Sequence, residues 1–173
     1  MRRRPRTVLA LTLFGLGLIG LATLANSVLW APAPCLVWNA SASAPIGFYR
    51  VLLGDAVRGD LVLVRTPKAV RQLAAERGYL PSNVPLVKRV AALDGDVVCA
   101  AGDAISINGR VVAERLARDR LGRPLPAWTG CHLLDDGEVF LLMEGVSDSF
   151  DGRYFGPTPT AAIIGRLAPL WIE

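Results

Sequence analysis

Residues 7–49 carry no charged side chain. Within them, residues 8–27 form an apolar run of about 20 positions, enough helix at about 1.5 Å per residue to cross the roughly 30 Å core of a bilayer. Arg2, Arg3, Arg4 and Arg6 flank the run on its N-terminal side. Because arginine-rich flanks stay in the cytoplasm, the expected topology is a single-pass anchor in a bacterial inner membrane. The N-terminus lies inside and the remainder in the periplasm. Ala22 and Ala25 suit a competing reading, a cleaved secretory signal, but the run is longer than a typical signal core. The expected division is an Arg-rich cytoplasmic tip with its anchor at 1–31, followed by a periplasmic domain at 32–173.

The four arginines account for the formal net charge of +4, and the rest of the chain balances at 15 basic and 15 acidic residues. A neutral body lacks the basic face that phosphate neutralisation requires, so no nucleic-acid partner is expected. Three cysteines in an oxidising compartment imply one pair and one left over. Cys99 follows a strand signal and Cys131 precedes one, which makes them the candidate disulfide, while Cys35 sits near the membrane exit. His132 is the sole histidine, and with three scattered cysteines it matches no ligand spacing, so neither metal nor cofactor is expected.

Downstream of the anchor the pattern is mostly β. Residues 48–53 and 61–64 are apolar runs separated by a polar turn, which predicts two paired strands. Residues 68–78 place Val70, Leu73 and Ala74 at helical spacing before Gly78, which predicts one short helix. Residues 84–92 are apolar except for Lys88 and Arg89, and they lead into a turn and the strand 97–99. Asn108-Gly109 between apolar neighbours predicts a tight hairpin over 105–112. Residues 139–143 and 162–172 complete the strands, and 115–128 is expected to be a polar surface excursion.

Lysine is scarce, with only Lys68 and Lys88 against 17 arginines. A chain with that bias would use arginine wherever a fixed positive charge sufficed; lysine, unlike arginine, can lose its proton in an apolar setting and act as a base. Leu86, Val87 and Val90 supply such a setting for Lys88, although a strand-edge lysine can also extend its amine to solvent. A serine hydroxyl becomes nucleophilic when a neighbouring base takes its proton, and lysine is an established partner. Ser41 and Ser43 lie in the small-residue loop NASASAPIG at 39–47, where a peptide can approach closely.

Three blocks carry a resemblance: Asn39, Ser41, Ser43, Pro45, Gly47, Phe48 and Tyr49; VKRVAALDGDVV at 87–98; and SFDGRYFG at 149–156. In this order behind an apolar N-terminus, they resemble the signal peptidase family of serine proteases, most nearly its TraF-type conjugative-transfer branch. The resemblance implies an antiparallel, barrel-like β domain behind one transmembrane helix. It implies that Ser43 attacks the scissile carbonyl, that neutral Lys88 accepts its proton, and that the Ser43 amide with the Ser41 hydroxyl forms the oxyanion hole. Ser149 would orient the lysine amine, and Asp151 and Arg153 would hold the site together as a buried pair.

The same resemblance implies an exported precursor as substrate, a pilin in the conjugative branch, with hydrolysis or cyclisation following a shared acyl-enzyme. Partners would be the membrane and other conjugation or secretion components. Met143-Glu144-Gly145 stands where signal peptidases usually carry Gly-Asp-Asn, and Ala44-Pro45 follows the nucleophile at tighter spacing than in leader peptidases. Both departures favour the conjugative branch over a general leader peptidase. A non-catalytic envelope scaffold of a pilus or secretion machine is the reading from a different class.

Overall fold

The computed structural model describes residues 5–29 and 34–173, with side chains placed at 11–23 and 34–173. The expected tip arginines Arg2, Arg3 and Arg4, and the expected boundary after residue 31, lie outside the described residues. The chain divides into two compact units, Met1–Ala33 and Pro34–Glu173.

The first unit contains helix α1, Pro5–Leu29. Among the described residues no helix is long and apolar enough to cross a membrane.

The second unit is mostly β and antiparallel, in agreement with the sequence pattern. In chain order it comprises β1 (Leu36–Asn39), β2 (Gly47–Leu52), β3 (Leu61–Val64), α2 (Lys68–Glu76), β4 (Leu86–Ala92) and β5 (Val97–Ala101). There follow β6 (Ala104–Ile107), β7 (Arg110–Glu114), β8 (Gly130–Leu133), β9 (Glu138–Leu141), α3 (Gly152–Phe155), β10 (Thr158–Pro159) and β11 (Ile163–Ile172). Seven strands form one sheet in the order β1-β2-β11-β3-β4-β9-β10, and four form a second in the order β7-β6-β5-β8.

The hairpin expected over 105–112 joins β6 to β7, with Asn108 at φ 51° and Gly109 at φ 81°, the paired positive values that a tight two-residue turn demands. The helix expected at 68–78 ends at Glu76, and Gly78 reverses the chain at φ 71°. One expectation fails. Residues 48–53 and 61–64 do not pair with each other, because β11 lies between them, with Arg166 opposite Leu52 on one side and Val62 on the other. All four residues of β3 are buried, so β3 is a central strand that needs two neighbours, and the ten-residue β11 supplies the second.

Central burial extends into β4, where Arg89 alone is exposed. Neighbouring strand residues face opposite ways, so Lys88 points inward while Arg89 points out and donates to the Gly59 carbonyl at 2.5 Å. Cys99 and Cys131 are directly opposed on β5 and β8 and are joined by a disulfide, and Cys35 is free and exposed.

Close approach also governs Gly152 at the start of α3. A Cβ there would lie 2.6 Å from the Leu141 carbonyl oxygen and 2.9 Å from the Phe140 ring. Gly152→Ala is expected to lower stability by about 1–3 kcal/mol, the usual cost of overpacking a tight interior. Thermal unfolding checks this, and an unchanged midpoint would contradict the packing described.

Candidate active site

The loop between β1 and β2 is held by two side chains, Asn39 and Tyr49. Asn39 is buried, and its Nδ2 donates to the carbonyls of Ser41 (2.9 Å), Ala44 (3.1 Å) and Pro45 (3.0 Å), while its Oδ1 accepts from the Ser41 amide (3.1 Å). Tyr49 from β2 adds a hydrogen bond from its hydroxyl to the Pro45 carbonyl at 2.6 Å. A loop of small residues, which by composition alone would favour many conformers, is thus fastened at both ends. Neither clamp follows from residue spacing, since Asn39 belongs to the matched block only as a turn former and Tyr49 only as a strand residue.

The clamped loop presents Ser43 to β4. Lys88 Nζ lies 3.2 Å from Ser43 Oγ and 2.8 Å from Ser149 Oγ, so three residues distant in sequence form one hydrogen-bonded chain. Lys88 is only 4% exposed. Burial removes water from the ammonium and lowers the amine from its usual 10.5 to about 8; Asp151 opposes the shift, Arg153 adds to it, and Asp148 opposes it. The amine is therefore charged below about 8 and neutral above it. Ser41 completes the cluster, with its Oγ 3.0 Å from Ser43 Oγ and accepting from the Ser43 amide at 3.4 Å.

Behind this chain lies a second polar group. Asp151 is fully buried and caps α3; it accepts from the Met143 amide (3.0 Å), the Arg153 amide (3.2 Å), Arg153 Nε (2.8 Å) and Arg153 Nη2 (3.2 Å). The remaining Arg153 hydrogens reach the carbonyls of Glu114, Ser147 and Met143. Such a pair, once formed, cannot lose one member cheaply, because the survivor is left charged in the interior.

A cavity of about 710 Å³ opens over the serines, and both Ser43 and Lys88 line it. The segment 115–128 is mostly exposed, as expected of a surface excursion, and it also forms part of the cavity wall. Arg115 is buried, donating to the carbonyls of Trp128 (2.6 Å) and Gly102 (2.5 Å), and the Leu116 amide donates to the Tyr154 hydroxyl (3.1 Å). Farther along, Asp119 binds the Tyr79 hydroxyl and Arg123 Nε (2.7 Å), fastening the segment to the residues that follow α2. The polar composition matches that exposure, and several of the polar groups also bond to the protein. His132 lies elsewhere, on β8, with its Nε2 2.6 Å from Glu138 Oε2.

A serine hydroxyl, a partly deprotonated lysine amine and a neighbouring amide donor, set at a largely apolar cavity, have the chemistry for acyl transfer. The profile of the signal peptidase, peptidase S26, family matches residues 8–171, and the chain belongs to that family of serine peptidases. It is 32% identical over 142 residues to a plasmid transfer protein TraF from Escherichia coli, covering 76% of this chain and 80% of the relative. It is 37% identical over 139 residues to a probable conjugal transfer protein TraF from Sinorhizobium fredii, covering 73% and 72%. Among solved structures, a signal peptidase I from Enterococcus faecalis V583 aligns over 68% of this chain and 100% of its own, at 20% identity and a TM-score of 0.38.

Removing one member of the buried pair tests its importance. Asp151→Ala leaves the Arg153 guanidinium unpaired and is expected to cost about 3–5 kcal/mol, measured by urea unfolding. A loss below about 1 kcal/mol would contradict a supporting role.

Proposed function

We propose that this chain is a membrane-anchored serine endopeptidase that processes an exported precursor, with Ser43 as nucleophile and Lys88 as general base. The observation that carries the reading is the 3.2 Å contact between Lys88 Nζ and Ser43 Oγ, made by an amine that burial has brought down to about 8. Ser43 Oγ attacks the scissile carbonyl carbon as its proton passes to Lys88 Nζ. The carbonyl oxygen then takes the Ser41 O–H and the Ser43 N–H, which in the resting site donates to Ser41 Oγ. Collapse breaks the carbon–nitrogen bond, and the Lys88 proton leaves with the amine. The remaining ester is released when water or another amine attacks it under the same base. Ser149 orients the lysine, and Asp151 with Arg153 fixes the backbone around it.

The anchor is α1 in the bacterial inner membrane, with residues 1–31 forming the cytoplasmic tip and span and 32–173 the periplasmic domain. The apolar run at 8–27 and the flanking arginines support this. Tethering raises the effective concentration of substrates held in the same membrane. Relatives named for plasmid and conjugal transfer favour a pilin-type precursor and other transfer components as partners. Cleavage and cyclisation share the acyl-enzyme, so either product is compatible with this site.

Ser43→Ala and Lys88→Arg are each expected to lower processing of a co-expressed cognate precursor by about a thousandfold or more while the protein still folds. Mass spectrometry of the precursor reads the outcome. Lys88→Arg that kept more than about a tenth of the activity would remove the general base, because arginine stays protonated.

A further inference from the structure

Two acid–arginine pairs lie close in sequence to, or across the cavity from, Ser149, the residue that Lys88 bonds. Asp151–Arg153 is buried and held within one short element. Asp148–Arg120 is the outer pair, and it spans two elements: Asp148 precedes Ser149, whose hydroxyl is bonded to the amine, and Arg120 comes from the excursion that walls the cavity. Arg120 has an 86% exposed side chain and Asp148 a 41% exposed one, so their pairing is of the weak, solvent-facing kind that opens readily. Both residues line the cavity above Ser43, where anything that enters competes for them.

The other charged residues of the cavity wall are occupied. Asp119 is bonded to Tyr79, to Arg123 and to the Leu121 and Arg123 amides, and Arg123 also lies 5.6 Å over the Tyr79 ring. The charges that act on the amine are thus Asp151 and Arg153 from the α3 turn and Asp148 from the loop before it. A carboxylate near the amine favours its protonated form, and a guanidinium on that carboxylate offsets the effect.

We propose that Asp148 is a positioning residue for the lysine and Arg120 its counter-ion, an openable outer pair that sets how readily the amine gives up its proton. The inner pair supplies a constant field. With the outer pair closed, the Arg120 guanidinium offsets part of the Asp148 charge and the amine is more readily neutral. When Arg120 is drawn away, the uncompensated carboxylate holds the amine charged. A substrate segment whose acidic group captures Arg120 therefore slows proton transfer, and one that leaves the pair closed does not. The proposal builds on the serine–lysine reading by adding a residue that controls it.

With only two lysines in the chain, the test is direct. The full chain, labelled with 13C-lysine and held in detergent micelles, is titrated by NMR, and Lys68→Arg identifies the Lys88 resonance. Asp148→Asn is expected to move the Lys88 midpoint down, and Arg120→Ala to move it up, each by about half a pH unit, the size of one charge at a solvent-facing site. The double variant is expected to follow Asp148→Asn, because Arg120 acts through that carboxylate, and added salt is expected to shrink both shifts. Midpoints that do not move, or that move the same way in both variants, would overturn the proposal. Its failure is separable from failure of the dyad, which Lys88→Arg processing reports independently of these midpoints.

Discussion

Holding a lysine amine away from water is the constraint around which the β unit is arranged. An ammonium ion in the interior is strongly disfavoured, so the fold must either supply it with charge partners or let it become neutral. Here it does some of each. Asp151 and Asp148 favour the charged form, whereas burial and Arg153 favour the neutral one, and burial is the largest of these influences. The strand that carries Lys88 can impose such burial because β3 and β9 cover its two edges. Arg89, one residue on, shows the alternative, since its side chain faces solvent.

The rest of the unit serves that amine by fixing its neighbours. Asn39 and Tyr49 set the position of the loop that carries Ser43, and Asp151 with Arg153 ties Met143, Ser147 and Glu114 into one framework around Ser149. Every one of these links is a hydrogen bond to backbone. Side chains used in this way make a local geometry insensitive to the sequence of the loop they hold, which suits a small-residue segment that must leave room for a substrate.

Much of this was legible in the sequence where local chemistry alone decides. Asn108-Gly109 required a tight turn whatever surrounded it, and Lys88 stood out because the chain otherwise prefers arginine. Its proximity to Ser43, Ser41 and Ser149 needed the resemblance of three separated blocks, since strand spacing does not say which loop faces which strand. Long-range order was the hidden part. That β11 would insert between β2 and β3 depends on a pairing more than 100 residues away in sequence, and alternation of apolar residues is silent on that choice. The excursion at 115–128 was legible as an exposed segment, but not the bonds that Arg115, Asp119 and Arg123 make within the protein. Asn39 and Tyr49 resemble turn and strand residues anywhere, and only the backbone around them reveals what they hold.

The most direct test of the account is the protonation midpoint of Lys88 in the unaltered full chain, read from its side-chain carbon resonance with Lys68 as the internal reference. The account predicts a midpoint of about 8, well below the usual 10.5. Two lysines that titrate together, both near 10.4, would contradict it, because an amine hydrated like any other is no base for Ser43.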